Sequence, residues 1–152
     1  MRKESTGASI GTGLQSWSAK KGRRGMPPGA SPIPTESEEQ MTLMSWASLA
    51  SGAHPELRLL YHVPNGGSRG KAEAGRFRAE GVKSGVPDLC LPVARREWHG
   101  LYIELKRTKG GHVSPEQERW ISALREQGYA ALVARGWEQA REIITEYLEV
   151  ET

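Results

Sequence analysis

The chain has 152 residues, of which 37% are hydrophobic and 26% charged, with a net charge of +3 and one cysteine. That is enough for one domain with a proper core. No apolar run approaches the ~18 residues of a membrane span, and none in the first 25 residues makes a secretory signal. Cys90 alone excludes an internal disulfide and fits a reducing, intracellular setting. The charge is uneven: residues 1–35 carry six Lys/Arg and one acid, the remainder 15 and 17. Between Arg69 and Lys109 ten basic residues stand against five acids, a stretch that suits either phosphate contact or a solvated face.

Residues 1–35 hold six Gly, five Ser and four Pro and almost nothing large and apolar. Such a composition buries too little surface to offset chain entropy, which predicts a disordered basic tail. It would serve non-specific nucleic-acid affinity, be a leader without a role, or precede a true start at Met26. A folded domain is expected over 36–152. Its first helix begins with Thr35 as N-cap and Glu38 three residues on, a capping box, and Leu43, Ala47 and Ala50 follow at helical spacing. "ELRLLYHV" (56–63) reads as a strand closed by "PNGG" (64–67). Residues 72–81 read as a helix, and "PDLCLP" and "GLYIELKR" as strands. Ser114-Pro115-Glu116-Gln117 opens another helix, with Ser at the N-cap, Pro first and Gln third. A strand over "YAALVAR" and a helix over 137–148 complete the order α, β, α, β, β, α, β, α. The expected class is α/β, with a mixed central sheet flanked by helices.

Charges interrupt the strands where an apolar residue is expected. A lone buried carboxylate or ammonium costs several kcal/mol unless it is paired or binds a metal. In "GLYIELKR" alternation sets Leu101, Ile103 and Leu105 on one face and Tyr102, Glu104 and Lys106 on the other. Asp88 opens the neighbouring strand, straight after Pro87. If the strands pair, two carboxylates and an ammonium converge at one strand end. Carboxylate and carbonyl oxygens there suit Mg²⁺ or Mn²⁺, and a lysine beside them can orient water or steady charge on a phosphoryl oxygen. The plainer alternative is an exposed edge strand with a surface ion pair.

Pro87-Asp88 followed by Glu104-Leu105-Lys106, with fifteen residues between the acids, resembles the PD-(D/E)XK nuclease signature. "HVPNGGSRGKAEAGRFRAEGVKSGVPDLCLP" and "GLYIELKRTKGGHVSPEQERWISALREQGYAALVARGWEQAREII" extend that likeness to the VRR-NUC (virus-type replication-repair nuclease) family, particularly its stand-alone phage members. The resemblance covers about residues 36–148 and implies a restriction-endonuclease-like core. It implies that Asp88, Glu104 and the Leu105 carbonyl are metal ligands and that Lys106 is the active-site lysine. A glutamate of the first helix and a glutamine after the catalytic strand belong to the same implied site. Gln117 matches the latter, and its place in a capping box with Ser114 is compatible with both roles. Among Glu36, Glu38 and Glu39, Glu38 is accounted for by Thr35. Glu36 shares a helix face with Gln40, Leu43, Ala47 and Ala50 and is the first candidate for catalysis and metal binding; Glu39 is the second. Asn65, Arg69, Lys71 and Lys83 are candidate DNA contacts.

The function implied is a Mg²⁺- or Mn²⁺-dependent DNA endonuclease acting on branched DNA such as four-way (Holliday) junctions. It would work as a homodimer in phage or prophage replication, recombination or repair, in the cytoplasm of a bacterial host. A restriction-like or general nicking nuclease and a non-catalytic branched-DNA-binding module are the alternatives, although a pure binder gains nothing from setting two carboxylates against phosphate. The four histidines lack zinc-site spacing. No Gly-x-x-x-x-Gly-Lys-Ser/Thr loop is present, so no nucleotide cofactor is expected, and no membrane partner either.

Overall fold

A computed structural model describes residues 33–64 and 71–149. The elements are α1 (Glu36–Ala50), a 3-10 turn (Pro55–Leu59), β1 (Tyr61–His62), α2 (Lys71–Ala79), β2 (Leu89–Leu91), β3 (Leu101–Lys106), α3 (Pro115–Glu126), β4 (Ala130–Arg135) and α4 (Trp137–Glu149). The four strands form one mixed sheet in the order β1-β2-β3-β4. β1, β2 and β3 are antiparallel neighbours, and β3 runs parallel to β4 through the α3 crossover. The α/β class expected from the sequence is the class observed. The predicted tail, apart from its last three residues, lies outside the described residues.

The stretch 56–63 departs from expectation. Only Tyr61 and His62 are strand, and Pro55–Leu59 forms a 3-10 turn. Pro55 suits the first position of such a turn. Leu57 and Leu60, three residues apart, are both buried, while Leu59 and Tyr61 stay exposed. That spacing of three is the 3-10 repeat, and the apolar composition conceals it as a strand.

The core packs against the end of the sheet that carries the strand charges. α1 contributes Leu43 and Ala47, and α4 contributes Ala140, Ile143, Ile144, Tyr147 and Leu148. These two helices pack on each other and against β3, where Leu101, Ile103 and Leu105 are each 1% exposed. α3 packs on β4 and reaches the Glu104 face of β3 through Gln117. The sheet is therefore covered on both sides at this end, which excludes the exposed edge strand as the account of its charges.

Candidate active site

β2 and β3 pair with Leu89 opposite Ile103, Cys90 opposite Tyr102 and Leu91 opposite Leu101. Carried on by two residues, that register sets Asp88 directly across from Glu104 and Pro87 across from Leu105. Residues opposed in this way have Cβ atoms about 4.5–5.5 Å apart, and like charges so placed destabilise a sheet. Proline has no N–H to give the Leu105 carbonyl, and the Leu105 N–H donates to Asp88 Oδ2 at 2.8 Å. The Pro-Asp pair thus ends the backbone ladder and substitutes a carboxylate. His62, on β1, holds the same corner through Nδ1, 2.9 Å from the Asp88 carbonyl.

Glu104 is fully buried. Its Oε1 accepts from Gln117 Nε2 and lies 2.6 Å from Lys106 Nζ, whereas its Oε2 is buried with no hydrogen-bond partner. Lys106 is itself 6% exposed, and its Nζ also lies 3.9 Å from Oε1 of Glu36, which is half exposed at the start of α1. The loop after β3 closes over this lysine. Gly111 is buried there, and a Cβ on it would stand 2.9 Å from Lys106 Cβ and 3.4 Å from Glu36 Oε1. Arg135 Nη1 holds the loop by donating to the Gly111 carbonyl at 2.8 Å.

The electrostatics follow from burial. Loss of water pushes the Glu104 carboxyl up to about 7; Lys106 opposes this, and the facing Asp88 charge adds to it. Asp88 is also raised, chiefly by burial, with the Leu105 N–H and the Lys106 ammonium holding it down. Two carboxyls that resist ionising side by side, one with an oxygen lacking a donor, suit a divalent cation. Among the described residues no three His, Cys, Asp or Glu gather into a metal cage. The acid pair fits an ion of the Mg²⁺ type, which keeps several waters and takes one or two carboxylates besides substrate phosphate.

Of the residues singled out in the sequence, Asp88, Glu104, Lys106, Glu36 and Gln117 come together. Lys83 is exposed, Asn65 and Arg69 lie outside the described residues, and Lys71 is described only as the first backbone position of α2. Sequence reading missed Gly111 and Arg135. Paired glycines after β3, Gly110-Gly111, were the available signal for the first, and nothing local marks the second.

A mixed sheet bearing opposed acids beside a buried lysine defines a nuclease-type domain. The VRR-NUC domain model matches residues 35–138, and the chain belongs to that family. A solved structure named "VRR_NUC domain protein" is similar at a TM-score of 0.69 and 32% identity, over 80% of this chain and 93% of that one. Nothing among the curated proteins matches it. No helix among the described residues is long and apolar enough to cross a membrane.

Proposed function

We propose that this nuclease domain is a divalent-cation-dependent DNA endonuclease that prefers branched substrates, four-way junctions above all, with Mg²⁺ or Mn²⁺ as the cation. The observation that carries the reading is Glu104: a fully buried carboxylate with one oxygen gripped by Lys106 and Gln117 and the other without any donor. A purely structural acid at that depth would have both oxygens satisfied. Asp88 and Glu104, with the Leu105 carbonyl, would hold the cation. Bound there, it supplies the positive charge that draws in a scissile phosphate and steadies the charge developing on it.

The chain's own groups do the remainder. The Lys106 ammonium lies against Glu104 and stabilises added negative charge on a phosphoryl oxygen. Glu36 faces the same ammonium from its more open side. Gln117 holds Oε1 of Glu104 and so fixes the rotation of the carboxylate. The closed loop around Gly111 keeps Lys106 from swinging into solvent.

Resolving a junction takes two cuts on opposed strands, and the described residues hold one acid-acid-lysine set. Two-fold symmetry would bring the second from another copy, so the working unit proposed is a homodimer. The likeness to phage-type members extends the proposal to phage or prophage DNA replication, recombination or repair in a bacterial host.

The test is incubation with end-labelled duplex, flap and four-way-junction DNA in Mg²⁺, Mn²⁺ or EDTA, with light scattering alongside. Junction cutting that needs the metal, by a dimer, is the expected result. Cutting that survives EDTA overturns the metal dependence. Equal cutting of all substrates by a monomer leaves a general nicking nuclease.

A further inference from the structure

Glu39 is the one first-helix glutamate that is buried, at 2% exposure. Its Oε2 accepts the Trp137 N–H at 2.8 Å, across 98 residues of sequence. Trp137 opens α4, and the residue before it, Gly136, has no side chain with which to cap the helix. The first amides of a helix lack internal partners, and a cap normally comes from Ser, Thr, Asp or Asn at that position. Here an acid of α1 supplies it from outside, at the end of α4 where negative charge is favoured.

The preceding amide makes the arrangement matter for the site. Gly136 N–H donates to the Lys106 carbonyl at 2.7 Å. Two successive amides of the β4–α4 junction therefore hold the last residue of β3 and the carboxylate of α1. Gly136 has φ +83, and a Cβ on it would stand 2.7 Å from Thr108 Cγ2 and 3.5 Å from both Glu39 oxygens. Close approach and left-handed backbone both require glycine there. Glu36 lies one turn before Glu39 on the same helix, with Oε1 3.9 Å from Lys106 Nζ and its side chain 47% exposed. Among the described residues the Glu36 side chain has no other hydrogen bond or ion pair, so the register of α1 fixes that distance.

We propose that Glu39 is a positioning residue: by capping α4 from α1, it sets the register of α1 against the end of β3 and so the place of Glu36 beside Lys106. The activity arm of the test rests on the proposed nuclease reading, while the exchange arm does not. Three variants separate length from charge. Glu39→Gln keeps the reach and an acceptor oxygen but drops the charge; Glu39→Asp keeps the charge but is one methylene short; Glu39→Ala removes both.

Amide hydrogen exchange at Trp137 should stay protected in Glu39→Gln and speed up in Glu39→Asp and Glu39→Ala. On junction DNA, kcat should stay within about threefold for Glu39→Gln and fall tenfold or more for the other two, with KM little changed, as for a misplaced reacting group. If Glu39→Ala does not fold, the Gln and Asp pair still decides. Glu39→Asp outperforming Glu39→Gln would mean the charge itself serves the chemistry and would overturn the proposal, as would unchanged exchange at Trp137 in Glu39→Asp. A wild-type protein that cuts nothing, with exchange as expected, sinks the nuclease reading and leaves the cap standing.

Discussion

Two helices begin with the same device and carry different burdens. At α1, Glu38 N–H donates to Thr35 Oγ1 at 3.2 Å, and the Glu38 carboxylate takes the Thr35 N–H at 2.7 Å. At α3, Gln117 N–H donates to Ser114 Oγ at 3.3 Å, and Gln117 Oε1 takes the Ser114 N–H at 2.8 Å. The first box faces solvent and stops there; its electrostatic trace is a Glu38 carboxyl held below the usual carboxylate range by the Thr35 hydrogen bonds. The second has a free end. An amide offers an acceptor and two donors, so Gln117 completes the cap with Oε1 and reaches Glu104 with Nε2. A glutamate would cap α3 equally well and set a third carboxylate against the acid pair. The motif fixes the local hydrogen bonds, and the residue opposite decides whether they also serve a site.

The largest expected effect comes from the residue that α3 serves and α1 does not. Glu104→Gln should lower kcat on junction DNA by at least about a thousandfold, the scale on which removal of electrostatic stabilisation acts. Without metal and above about pH 7 the same variant should be more stable than wild type, because burial and the facing Asp88 charge hold the Glu104 carboxyl up at about 7 even against the Lys106 ammonium. Urea unfolding in EDTA reads this directly. A variant less stable than wild type would make Glu104 a structural ion-pair partner rather than a site acid.

The next prediction turns the two boxes against each other. Gln117→Glu keeps the cap and replaces a donor to Glu104 with an acceptor. Helicity should persist while kcat drops by about ten- to a hundredfold, the range expected for loss of a group that orients a metal ligand. Retained activity would reduce the α3 capping box to the status of the α1 box, a well-made helix start with no share in the site.

A pH series sharpens the same contrast. The Glu104 carboxyl is raised in the fold to about 7 from an ordinary 4.5, and Asp88 moves in the same direction. A raised acid stabilises the fold below its unfolded value, and that stability is lost as pH climbs through the folded one. In EDTA, wild type should lose on the order of a few kcal/mol relative to Glu104→Gln between about pH 4.5 and pH 7. Divalent metal should flatten the difference, since the cation favours the ionised pair. Parallel stability curves in EDTA would contradict this origin of the shift.

The smallest effect belongs to α1. Glu38→Ala should lower the thermal unfolding temperature only slightly, as expected for half of an exposed capping box, and leave kcat unchanged. Thermal unfolding and a junction assay check both halves. A loss of activity to match that of Gln117→Glu would abolish the distinction between the two helices.

What could be read without the structure follows the range of the forces involved. Both capping boxes, the proline at the first position of α3 and the alternation that groups Tyr102, Glu104 and Lys106 rest on neighbours within four residues, so sequence spacing carries them. The misread stretch 56–63 shows where this fails. Leu57 and Leu60 satisfy a 3-10 turn, but a run of leucines and a tyrosine satisfies a strand as well, and only the space beneath α1 chooses between them.

The sequence by itself determined the α/β class, the helix starts and the acid-acid-lysine pattern, because periodicity, capping and short spacing are local chemistry. The choice between Glu36 and Glu39 needed the tertiary structure. Both lie in the first turn of one helix, and nothing in "ESEEQ" says that one meets Lys106 and the other the Trp137 amide. The unsatisfied oxygen of Glu104 was equally invisible. Whether a buried carboxylate is stranded depends on what packs around it, and here its neighbours are Gln117 of α3, Lys106 of β3 and Asp88 just before β2, brought together by burial of the leucines and isoleucine between the charges.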